Sequence, residues 1–392
     1  MLFLPRPPPR VPRKFLVYPK VTPHMSAPSV LFSPHRLAGL ELSNRIVVSP
    51  MCQYSADDGC ANDWHLMHLG TLAQSGAALL MVEATAVERQ GRITHGCLGL
   101  YSDANERELA KVVAHCRRFG TAKLGIQIGH AGRKASARVP WDGGNALKPH
   151  EDPWQTLAPS PIAFTENWHV PQAMTRADME RIRNAFVATA RRALRLGFDL
   201  VELHGAHGYL LHSFMSPISN QRDDEYGGSL ANRMRFPLEV VAAVRDVWPT
   251  ERPLGMRITG SDWLEGGITP DDAVAIARSL KDGGIDYVCV SSGGVNPSAK
   301  VKLEPGYQVP FAAKIRKEVG LSTRAVGLIV TPTQAEAIVA EGKADMVALA
   351  RAMLDNPHWG WTAARALGAD VARPPQYARA ADAVWPGAKY MD

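Results

Sequence analysis

The sequence predicts a single (β/α)8 (TIM) barrel, with an insertion after the third strand and a disordered, Pro/Arg-rich N-terminal extension. Three observations predict it. Eight short apolar runs recur after residue 40, at 45–49, 78–84, 124–129, 199–204, 254–259, 287–291, 324–327 and 345–350. Most are uniformly apolar rather than alternating, as parallel strands covered on both faces should be. Helix-patterned segments separate them, the βα alternation that closes into a barrel. A doubly wound sheet is the runner-up, but no G-x-G-x-x-G opens a helix after any of these runs. A chain of 392 residues could hold two domains, yet a barrel reaches this length as one.

The helices carry their own punctuation. In 175–197, Ile182, Ala185, Phe186, Ala190, Ala193 and Leu194 line one face, Thr175 with Asp178 reads as a capping pair, and Gly197 as the stop. Thr269-Pro270-Asp271-Asp272 starts another helix, with a cap residue and proline at the first helical position, and Gly283-Gly284 ends it. His65 and His68 fall in a helix, where capping or packing is the expected role. Two stretches break the rhythm. Residues 132–174, with Trp141, Trp154, Trp168 and several prolines, read as an ordered insertion over the barrel mouth. Residues 212–235 read as a polar loop after strand 4.

The expected organisation is an extension over 1–28, a barrel over 29–370 and a C-terminal tail over 371–392 at a subunit interface. The formal charge of +6 is concentrated at the start: Arg6, Arg10, Arg13, Lys14 and Lys20 stand in residues 1–25 with no acid. The remainder is nearly neutral, which argues against a nucleic-acid partner. Proline density in the same segment blocks a continuous helix, and Met25 is a candidate natural start. No apolar run is long enough to span a membrane. Five cysteines without a C-x-x-C pair speak against a disulfide framework, structural zinc or an iron–sulfur cluster, and fit a cytoplasmic setting.

The carboxyl ends of barrel strands share one mouth, so catalytic groups should gather there. Those ends are Ser49-Pro50-Met51-Cys52-Gln53-Tyr54, Glu83-Ala84-Thr85, Gln127 to His130, His204 to Tyr209, Arg257, Ser291 to Gly294, Gly327 and Ala350-Arg351. The set is polar and hydrogen-bonding but has no acid pair across a mouth, so glycoside hydrolysis is weakly supported. His204 and His207 lack a carboxylate or cysteine to complete a metal site; from spacing alone, ligation and a structural role both stay open. Gly327 and Arg351 lie where barrels often hold a phosphate, and Arg257 could face another anionic part of the same ligand. For Arg351 a surface ion pair is an equal reading.

Together with His130-Ala131-Gly132-Arg133-Lys134, Asp224-Glu225-Tyr226-Gly227-Gly228-Ser229 and Asn232-Arg233, these segments resemble the Old Yellow Enzyme family of FMN-dependent ene-reductases. The likeness runs from about Leu31 to Arg379. Cys52 and the His204/His207 pair place it beside the thermophilic-like, xenobiotic-reductase-like subgroup. The resemblance implies FMN held by Ser49, Pro50, Met51, Cys52, Ala84, Gln127, Arg257, Gly327, Ala350 and Arg351, and NADPH or NADH as reductant. It implies an NADPH dehydrogenase or ene-reductase in which hydride passes from reduced FMN to Cβ of an enone or nitro compound. His204, His207 and Tyr54 would bind the activating oxygen, Cys52 would tune the flavin, and Tyr209 would protonate Cα. It also implies a homodimer or homotetramer, with Arg379 reaching a neighbouring substrate site. Ala380-Ala381 stands where the subgroup ends in Gly-Trp, and Ala350 where many relatives carry glycine. A 2,4-dienoyl-CoA-reductase-like protein would need cluster cysteines and a further domain. A non-catalytic flavin-binding barrel would not need Tyr209 with both histidines.

Overall fold

The computed structural model describes residues 28–391, so the expected extension lies almost wholly outside the described residues. Eight parallel strands close a barrel in chain order: β1 (Ile46–Val48), β2 (Leu79–Ala86), β3 (Lys123–Gly129), β4 (Leu200–Gly205), β5 (Leu254–Thr259), β6 (Tyr287–Ser291), β7 (Ser322–Ala325) and β8 (Met346–Leu349). Each expected strand is present, within a few residues of its expected ends. β7 stops early, which leaves Gly327 beyond the strand at φ +107°. The β2–β3 pairing shifts between Val82 and Thr85, an irregularity at the rim that re-aims Glu83 and Ala84.

Helices α1 (Asp63–Leu72), α2 (Asp103–Phe119), α3 (Arg176–Arg195), α4 (Leu230–Arg245), α5 (Pro270–Asp282), α6 (Val309–Val319), α7 (Pro332–Ala340) and α8 (Trp359–Ala366) follow the strands in turn. The caps fall where the sequence puts them. Thr175 and Asp178 form a reciprocal box at α3, Thr269 caps α5 ahead of Pro270, and His65 completes the α1 box by accepting the Asn62 N–H. α3 buries Met179, Ile182, Phe186, Ala190 and Ala193 against the barrel wall. Truncating Phe186 to alanine there would cost about 3–5 kcal/mol.

The outer core lies between strands and helices; a second apolar cluster fills the barrel itself. A hairpin, His35–Leu37 with Leu40–Leu42, places Leu37 and Leu42 in that inner cluster with Val47, Leu79 and Met346. Above these apolar residues the interior turns polar: Gln127, Glu202, Tyr287 and Arg324 are joined by hydrogen bonds and fully or almost fully buried. Charged groups can occupy the middle of a barrel because they satisfy one another.

The insertion after β3 is ordered by three short 3₁₀ turns and a two-residue strand pair, Leu157–Ala158 with Gln172–Ala173. The expectation of a polar loop over 212–235 is corrected. A buried helix, Leu210–Met215, occupies its start, and α4 takes in its end from Leu230. Leu210, Leu211, Phe214 and Met215 point inward, but six residues are too few to show a helical period. Among the described residues no helix is long and apolar enough to cross a membrane.

Candidate active site

The β4 end carries the densest chemistry. His204 is the penultimate residue of β4, and the chain then turns sharply through His207 and Gly208, both left-handed at φ +59° and +76°. A Cβ on residue 208 would stand 2.2 Å from the Gly294 carbonyl oxygen, so only glycine fits. This turn brings the His204 and His207 rings to 5.1 Å, and the Tyr209 ring to 4.8 Å from His204 and 6.4 Å from His207. The Ala206 N–H donates to His204 Nδ1 (3.3 Å), which leaves the ring proton on Nε2. Burial, then the positive charge of Arg257, holds both imidazoles well below their ordinary range. They are neutral donors. Burial, followed by nearby Cys52 and Tyr54, pushes the Tyr209 phenol up and keeps it protonated.

Beside this cluster lies a cavity of ≈ 360 Å³, lined among others by Ser49, His207, Arg257, Gly327, Ala350 and Arg351. Six of the residues expected at the site therefore meet around one volume. A smaller cavity of ≈ 20 Å³ is bounded by Ala84, His204 and Tyr209. Cys52 takes a hydrogen bond from the Ala84 backbone, and burial, then Glu83, raises its thiol. Tyr54, left-handed at φ +50°, packs edge-on against Trp141 of the insertion at 5.9 Å. The insertion does reach over the mouth. Pro50 and Met51 carry the chain from Ser49 to Cys52, with the Met51 carbonyl taking the Gln53 side-chain N–H at 2.9 Å.

Pro50, Met51, Cys52 and Tyr54 line neither cavity, and two expected residues stand farther off. Gln127 lies one inward position below His204 and donates to Glu202 (2.7 Å), bordering neither cavity. Arg379 is exposed in a 3₁₀ turn of the tail, Pro375–Ala380, and also borders neither.

Tyr307 and Gln308 escaped the sequence reading, as did the ties that Lys134 and Glu83 make. Tyr307 and Gln308 line the large cavity from a loop far beyond β6, where an inventory of strand ends does not look. Lys134 sits between the mouth loops, its Nζ donating to the carbonyls of His207 (2.7 Å) and Gly294 (3.0 Å). Burial, then Arg133, brings that amine down to about 7. Glu83 accepts the Gln53 N–H at 3.0 Å and so ties the Cys52 loop to β2. The motif containing Lys134 was visible in the sequence; its role as a tie between loops was not.

A family model described as the NADH:flavin oxidoreductase / NADH oxidase family matches residues 30–369. The chain belongs to this family, the Old Yellow Enzyme family. Among curated relatives, an NADPH dehydrogenase of Geobacillus sp. (strain WCH70) is 46% identical over 90% of this chain and 98% of its own length. One from Clostridium acetobutylicum is 42% identical over 89% and 99%. A solved structure of morphinone reductase in complex with tetrahydroNAD superposes with a TM-score of 0.70 at 27% identity, covering 88% of this chain and 93% of that one. The protein is an FMN-dependent NAD(P)H oxidoreductase on a (β/α)8 barrel. The donor set suits FMN: Arg257 and Arg351 can balance an anionic ligand, and the large cavity is more polar than the inner core beneath it.

Proposed function

We propose that this family member is an ene-reductase acting on activated C=C bonds of α,β-unsaturated carbonyl and nitro compounds. The clustering of two neutral imidazole donors and a protonated phenol beside the large cavity carries the reading. Ser49, Met51, Cys52, Ala84, Arg257, Gly327, Ala350 and Arg351 would hold FMN, with Gln127 beneath. Bound FMN supplies a two-electron hydride donor that NAD(P)H recharges.

The protein's own groups do the rest. His204 and His207, helped by Tyr54, donate to the substrate's carbonyl or nitro oxygen. Charge grows on that oxygen as Cβ is reduced, so these donors act on the transition state. As neutral imidazoles they donate to the oxygen and keep their protons, which leaves protonation to Tyr209. Tyr209 delivers its proton to Cα. Trp141 of the insertion packs edge-on against Tyr54 and so steadies it at the mouth. Catalysis by a homodimer or homotetramer with Arg379 at a neighbouring site belongs to the same proposal.

Reduction of 2-cyclohexenone in D2O tests it. The expected product is cyclohexanone with deuterium on Cα. Oxidation of NADPH with the C=C bond left intact would contradict the reading.

A further inference from the structure

Behind the catalytic turn stands a buried histidine–carboxylate pair. His212 and Asp262 are fully buried, and His212 Nε2 lies 3.0 Å from Asp262 Oδ1. Neither atom makes an aligned hydrogen bond, so the two meet as a close buried ion-pair contact. On its other side, His212 Nδ1 accepts the Gly208 N–H at 2.7 Å. That N–H belongs to the peptide joining His207 to Gly208, the two consecutive left-handed residues of the turn. The flanking groups are fixed as well, since Ser213 Oγ donates to the Gly208 carbonyl (3.0 Å) and Lys134 to the His207 carbonyl. Left-handed backbone at a residue with a Cβ is costly and persists only when its surroundings hold it.

The hydrogen-bond directions constrain the protons. Because Nδ1 accepts from an N–H, the proton of a neutral His212 must sit on Nε2, facing Asp262. Asp262 in turn cannot rotate freely. Its Oδ2 accepts from Ser216 Oγ (2.7 Å) and from the Ile268 N–H (2.8 Å), so Oδ1 alone is turned to the imidazole. We infer that Asp262 and His212 are positioning residues that fix one imidazole tautomer and thereby hold the His207–Gly208 turn in the shape that aims His207 at the substrate oxygen. This rests on the ene-reductase reading of the site. Neither residue touches substrate.

The arrangement makes an isosteric change informative. In Asp262→Asn, the two donors at the Oδ2 position keep the amide oxygen there, and the amide NH2 falls opposite His212 Nε2. That nitrogen must then accept, the proton moves to Nδ1, and Nδ1–H faces the Gly208 N–H. The expected result is a switch of His212 from the Nε2–H to the Nδ1–H form, read by 15N NMR of histidine-labelled protein. With it, kcat/KM for 2-cyclohexenone should fall about 10–100-fold, the usual cost of losing a partner that orients a functional imidazole. A folded variant that kept the Nε2–H tautomer, or switched tautomer with full kcat/KM, would overturn the inference.

A second pair of variants covers the case in which Asp262→Asn does not fold. In His212→Gln the amide oxygen can accept from Gly208 and the NH2 can donate to Asp262, so activity should be mostly retained. His212→Leu, of similar bulk, should lose about 10–100-fold. Equal losses in the two would overturn the inference. Wild type that reduced no enone but showed the Nε2–H tautomer would overturn the functional reading and the role given to the turn, while leaving the proton assignment standing.

Discussion

The Tyr209 ring stands edge-on to that of His204, centroids 4.8 Å apart and planes at 89°. On the proposed reading one is an oxygen-binding donor and the other a proton source, and the barrel holds their rings side by side. Their roles are therefore separable by mutation. Tyr209→Phe removes the proton but not the ring. Reoxidation by an enone should slow by about 10²–10⁴-fold, the range for a lost general acid. Reduction of the cofactor by NADPH should be nearly unchanged in stopped-flow. Equal loss in both half-reactions would remove Tyr209 from the role.

His204→Ala deletes a donor rather than an acid. Turnover of 2-cyclohexenone should fall about 10²–10³-fold, as when one oxyanion donor is removed. The steady-state profile should also be flat across pH 6–7 in the wild type. Burial and Arg257 hold both imidazoles well below their ordinary range, so neither gains a proton there. A step in kcat/KM near pH 6.5 would contradict neutral histidines.

Lys134 makes a prediction about stability. Its amine is brought down to about 7 by burial, far below that of an unfolded lysine. Between about pH 7 and about pH 10.4 the unfolded chain therefore binds more protons at this residue than the native one, and stability at this site rises with pH. Urea unfolding of wild type and Lys134→Met should show the wild type gaining on the variant between pH 7 and pH 9. The opposite slope would mean that the two carbonyl contacts outweigh burial.

The ion pair inside the barrel behaves differently from a surface one. Arg324 and Glu202 are both fully buried, with Tyr287 donating to the same carboxylate at 2.7 Å. Arg324→Met should cost about 3–5 kcal/mol by stranding a charge, whereas Glu202→Gln with Arg324→Met, which removes the charge but keeps an acceptor for Tyr287, should recover most of it. Thermal or urea unfolding of the three proteins decides this. Equal destabilisation of the single and double variants would contradict the pairing.

Much of this was legible in the chain because parallel strands repeat a strong signal. Uniform apolar runs, Thr175 with Asp178 and Thr269 with Pro270 each fix a boundary through local chemistry. Strand ends then name Ser49, His204, Arg257 and Gly327 without any fold calculation. What stayed hidden depends on distance across the barrel. Arg324 sits 122 positions from Glu202, and nothing local tells which face of a strand an arginine takes. His212 and Asp262 meet only because β4 and β5 are neighbours, and the helix 210–215 is too short to announce itself. Tyr307 and Gln308 reach the cavity through loop geometry, which periodicity does not encode.

Ene reduction by this protein is read most directly in an anaerobic absorbance titration, first with NADPH and then with 2-cyclohexenone. An oxidised-flavin spectrum should bleach with NADPH and return in full with the enone. A flavin that bleaches and stays bleached under excess enone would contradict it.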